Sequence, residues 1–122
     1  MTSPAQHLFE AYSRSTKGFA HDNRPIPSWD AIAQATPAVI TAWEAAHAAM
    51  HAAASSGQHD PVILGELGFD AYSASTGGKT WSGAAIPPYA TIRATKPHVC
   101  HAWEAAASDL LQRALERPTV TP

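Results

Sequence analysis

Apolar residues recur at helical spacing in four stretches of the chain. In the first, Leu8, Phe9 and Tyr12 follow Ser3-Pro4 and Gln6. Ser3 is placed to cap, Pro4 to open the helix and Gln6 to close a capping box. Gly18 stands just past the natural stop. The second stretch starts at Thr36-Pro37, carries Val39, Ile40, Trp43, Ala46 and Met50, and ends at Ser55-Ser56-Gly57. Asp60-Pro61 opens a third, with Ile63, Leu64, Leu67, Ala71 and Tyr72 as its apolar set. The fourth carries Val99, Trp103, Ala106, Leu110 and Leu111 and frays before Pro118. Two long loops, 17–35 and 77–94, separate the helices pairwise, since Asn23, Pro25 and Pro27 oppose regular structure. Only one helical turn, 29–32 after Ser28, is expected within them. Residues 118–122 read as a disordered tail.

These stretches are two copies of one plan. A shift of 60 positions aligns 9–50 with 69–110 without a gap, and 17 of the 42 pairs are identical. Ala11-Tyr12-Ser13 matches Ala71-Tyr72-Ser73, and Trp43-Glu44-Ala45-Ala46 matches Trp103-Glu104-Ala105-Ala106. Agreement of that extent marks an internal duplication. The expected fold is all-α: two tandem helix–long loop–helix repeats, 3–56 and 60–117, packed as a pseudo-two-fold four-helix domain. Trp43 and Trp103 are its central pegs.

Composition explains why the repeats should pair. Of the 122 residues 45% are apolar, but 26 are alanine, which leaves each repeat few large side chains. About 50 residues are near the lower limit for folding alone, and alanine-rich helices offer flat faces for close packing, so the repeats pack together and a homo-oligomer is expected. The net charge of −2 makes no field for a nucleic-acid polymer or an anionic membrane. No apolar run reaches the ~20 residues of a membrane span. The start has no basic segment leading into an apolar stretch, so a cytoplasmic location is expected. A single cysteine, Cys100, excludes an internal disulfide.

Chemistry-bearing motifs are sparse. Thr76-Gly77-Gly78-Lys79-Thr80 has the look of a phosphate loop but lacks its first glycine and follows a helix end, where the dipole has the wrong sign. A helix C-cap is the better reading. His47 with His51, and His98 with His101, share helix faces, yet neither pair is repeated and no carboxylate or cysteine completes a ligand set. No metal or cofactor is expected. No nucleophile elbow, acidic pair or His-Glu-x-x-His motif is present, and Cys100 reads as a small buried hydrophobe. Both repeats share Ile-Pro-x-aromatic-x-x-Ile: Ile26-Pro27-Ser28-Trp29 to Ile32, and Ile86-Pro87-Pro88-Tyr89 to Ile92. A proline-held aromatic either staples a loop to the core or grips a planar ligand.

Taken with Tyr72, Trp81, Gly83, Pro88, Tyr89 and Ile92, the second unit resembles the RyR domain, the repeat named after ryanodine receptors. The first unit keeps Tyr12, Pro27, Trp29 and Ile32 of that pattern but has His21 and Asn23 at the turn. The Tyr-x3-Thr-Gly-Gly-Lys…Pro-x-aromatic…Ala-Trp-Glu-Ala-Ala pattern is also similar to short proteins of bacteriophages and actinobacteria. The resemblance implies a pair of helices around a loop, and recognition or sequestration of a nucleotide-derived immune signal in phage–host conflict.

The residues support the same job independently. Tyr12, Trp29, Tyr72, Trp81 and Tyr89 offer aromatic faces for a planar base, while Lys17, Lys79 and Arg93 offer charge for its phosphates. Duplication gives either two such clefts or one at the seam. The expectation is therefore a non-enzymatic protein binding a small nucleotide-like ligand. A protein-interaction or structural module, such as a phage component, is the alternative.

Overall fold

The computed structural model describes residues 3–18, 25–79 and 85–116. All the regular structure among them is helical: α1 (Pro4–Ser15), α2 (Trp29–Ala35), α3 (Pro37–Ser55), α4 (Pro61–Ser75), α5 (Tyr89–Thr95) and α6 (Pro97–Glu116). The all-α expectation holds, but the helix number does not: there are six, because each presumed long loop contains a seven-residue helix. Both short helices bury an isoleucine three residues after an aromatic, Ile32 and Ile92, each 2% exposed. The tertiary anchor stabilises a helix too short to persist on its own. The expected tail, 118–122, lies outside the described residues.

The helix starts follow the capping chemistry. Ser3 Oγ accepts from Gln6 N at 3.1 Å, Ser28 Oγ from Ala31 N at 3.2 Å and Asp60 Oδ1 from Val62 N at 2.9 Å. The box expected at α1 is only half formed, since the Gln6 side chain donates down the helix to Glu10 at 3.0 Å. Thr36 both ends α2 and precedes α3, and its side chain makes no capping bond.

At the other ends of α1 and α4, the chain turns back on glycine. Gly18 N and Gly78 N donate to Ser13 O and Ser73 O at 2.8 Å. Gly18 and Gly78 hold φ at +85° and +81°, which a side chain disfavours. Their carbonyls then each accept from an isoleucine amide, Ile26 and Ile86, at 2.7 Å. Two loop necks of the same construction result; Pro25 and Ala85 occupy equivalent bridge positions, and Ala85 pairs antiparallel with Lys79.

One core unites the repeats. Buried residues from all six helices form a single cluster. α1 packs mainly on α6 and α4 mainly on α3 and α6, so each opening helix leans on a helix of the other repeat. α4 comes close because it has glycine where it crosses its neighbours: a Cβ on Gly65 would sit 3.1 Å from the Trp103 carbonyl carbon. This inverts part of the expected apolar face. Gly65 and Gly68 point inward with Leu64, Phe69 and Tyr72, whereas Ile63 and Leu67 are exposed. No described helix is long and apolar enough to cross a membrane.

Candidate functional site

At the centre of the core, Trp43 and Trp103 stack with ring centroids 5.0 Å apart and planes inclined by 19°. α3 and α6 each contribute one of these rings, and the opening helices surround the pair with further aromatics. Tyr12 sits edge-on to both tryptophans, at 5.5 and 5.4 Å, and Tyr72 does so at 5.2 and 6.0 Å. Phe9 lies edge-on to Trp43 at 5.6 Å and Phe69 to Trp103 at 6.1 Å. Edge-to-face pairs of this kind contribute about 0.5–1.5 kcal/mol each beyond their burial.

These six rings line a partly open cleft with a cavity of about 70 Å³. Ile32 and Val39, with Ile92 and Val99, complete its buried lining. The half-buried Ile26, Ile86 and Pro87 lie on the lining beside the loop necks. Apart from Pro87, every lining residue has its counterpart 60 positions away in the lining too. Among the described residues of this lining there is no charged side chain.

The polar side-chain groups in this wall are the Tyr12 and Tyr72 phenols and the indole N–H groups of Trp43 and Trp103. Burial pushes the Tyr72 hydroxyl up to about 12. Tyr12 is raised as well, by burial first and then by the nearby Tyr72 and Cys100. Both phenols therefore stay neutral at any ordinary pH.

The expected site residues divide into three groups. Tyr12 and Tyr72 line the cleft. Lys17 and Lys79 are exposed beside Gly18 and Gly78 on the loop necks, whose partner isoleucines line the cleft. Trp29, Tyr89 and Arg93 do not join them. Trp29 is half-buried against Phe9 at 5.4 Å. Tyr89 is buried against Phe69 at 4.8 Å, and the Arg93 guanidinium lies 5.2 Å over its ring. These two aromatics start helices rather than sit in loops, which turns them into core staples. Trp81 lies outside the described residues.

Tyr89 carries a further peculiarity: its hydroxyl is buried without a hydrogen-bond partner among the described residues. Burial, then Cys100 and Glu104 nearby, raise its pKa against the opposing effect of Arg93. The described histidines stay apart from the cleft lining. His47 and His51 stack at 5.6 Å on α3, and His101 pairs with Glu104 at 3.5 Å. Among the described residues no three or more metal-ligating side chains gather.

Sequence reasoning took Trp43 and Trp103 as pegs and passed over Phe9, Phe69 and the isoleucines as ordinary core. The pairwise identity of these positions across the repeats was the available signal. No protein-family model matches the chain, and neither a curated protein nor a solved structure shows significant similarity to it.

Proposed function

We propose that this protein is a non-enzymatic binder of a small nucleotide-like ligand. The two repeats are read as related by an approximate two-fold axis running between Trp43 and Trp103, with the cleft at the seam. The observation that supports the reading is the cleft itself: concave, aromatic-walled and uncharged, with an exposed lysine on each loop neck. Concave apolar sites with a few polar groups at the edge are the usual form of small-molecule sites. At about 70 Å³ the cleft is roughly half the 150 Å³ cavity that encloses a benzene. It therefore takes the edge of one ring, and the rest of the ligand stays at the mouth. Lys17 and Lys79 meet the phosphates there.

Thermal melting with a panel of mononucleotides and cyclic dinucleotides tests this. A ligand at 100 times its Kd adds about 2.7 kcal/mol, a rise of several degrees in Tm. Lys17→Ala with Lys79→Ala should shrink that rise. A melting temperature indifferent to every member of the panel defeats the reading.

A second reading, a protein-interaction module with self-association of the chain among its forms, is favoured by one surface feature. Val62, Ile63 and Leu67 on α4 are 42%, 45% and 38% exposed, although nothing in the core requires apolar residues there. Sedimentation of the protein and of Ile63→Glu separates the two: an oligomer lost in the variant supports the interaction module.

A further inference from the structure

Internal duplication lets the chain be compared with itself. The six pairs of cleft-lining residues that correspond across the repeats are all identical, from Phe9 and Phe69 to Trp43 and Trp103. The large core residues outside the lining behave differently. Trp29 corresponds to Tyr89, Ile40 to Cys100 and Met50 to Leu110, and none of these pairs is kept. Packing alone tolerates exchanges of apolar size and shape when neighbours compensate, and this core contains such exchanges. The cleft wall contains none. Its two halves present the same side chains to whatever lies between them.

Resting on the reading of the cleft as a ligand site, we infer that it binds one ligand per chain, gripping a single uncharged planar ring equally from both repeats. A flat ring standing along the seam offers one face to each repeat, so a symmetric wall suits it. The lining supplies aromatic edges and isoleucine branches for those faces and no charge, so charged groups of the ligand remain outside. Tyr12 and Tyr72, one from each repeat, already stand edge-on to Trp103, and edge-to-face contact with a bound ring follows the same preference of aromatic pairs. This gives one shared site, not one site in each repeat.

The test uses indole as an uncharged ring and naphthalene-2-sulfonate as a ring with an anion attached. Calorimetric titration of the full chain should give one ring bound per chain. Ile26→Asn and Ile86→Asn, both at half-buried positions, should each weaken binding by about tenfold or more, equivalent to at least 1.4 kcal/mol, and by similar factors. The milder Ile26→Val and Ile86→Val should show the same equality if the asparagine variants melt too early to titrate. Ile63→Glu, on the far-exposed face of α4, should leave binding unchanged. Two rings per chain, or strong loss from one isoleucine and none from its counterpart, overturns the shared site while the ligand-binding reading stands. If neither probe nor any nucleotide binds, both fall.

Discussion

Gly65 and Gly68 set how closely α4 approaches its neighbours, and they differ in what a methyl group would meet. At Gly65 the obstacles are Trp103 C at 3.1 Å, Trp103 O at 3.2 Å and Glu104 N at 3.2 Å, all backbone of α6. A helix backbone cannot step aside without moving the helix. At Gly68 the first obstacle is the Met50 side chain, which has rotatable bonds, although Trp103 Cζ3 lies 3.2 Å away. Overpacking costs about 1–3 kcal/mol, against roughly 1 kcal/mol regained from alanine's helix propensity. Gly65→Ala should therefore destabilise by about 1 kcal/mol and Gly68→Ala by less, as read from urea unfolding. A Gly65→Ala protein as stable as the parent would show that α4 and α6 are farther apart than described. Residue by residue, size misled the sequence reading here. A periodicity search gives Ile63 and Leu67 to the core, whereas close helix contact gave that side to the glycines.

Among the elements, the main contacts run between repeats. α1 leans on α6, and α4 leans on α3 as well as α6. Each repeat thus covers part of its apolar surface with helices of the other. A single repeat would keep α1 beside α3 but expose the faces that the other repeat covers, at a length near the limit for independent folding. The segment 1–58 alone should show weak helical circular dichroism and no cooperative melt, and mixing it with 59–122 should recover helicity. A cooperative melt for 1–58 by itself would refute this dependence. The four long helices were legible because caps, prolines and apolar spacing all coincide at their ends. α5 was missed and α2 underestimated, since Tyr89 and Ile92 span too few residues to show a period. What makes them helical is the burial of Ile32 and Ile92 against the rest of the chain.

For the molecule as a whole, three phenols share one interior. Tyr12, Tyr72 and Tyr89 all have pKa values above the ordinary 10 in the folded protein, Tyr72 at about 12. The unfolded chain releases these protons near pH 10 while the folded chain holds them. Their stabilising effect is thus complete below pH 10 and is lost as pH rises through the folded values. Each such tyrosine contributes a slope of up to about 1.4 kcal/mol per pH unit in that window. Tm should fall steeply between pH 10 and 12, and Tyr72→Phe should make the fall shallower. A Tm that stays level through that window in the parent protein would contradict burial of the neutral phenols.

Helix class, duplication, the capping residues and the prominence of the two tryptophans were determined by the sequence itself. Each depends on residues near in the chain or on comparison of the chain with itself. Which face of α4 is buried, that Tyr89 is a core staple under Arg93, and that residues of both repeats line a cleft were decided only in three dimensions. Those outcomes depend on how closely helices distant in sequence can approach. That distance is set by the absence of side chains at Gly65 and Gly68 and by the stacking of Trp43 on Trp103.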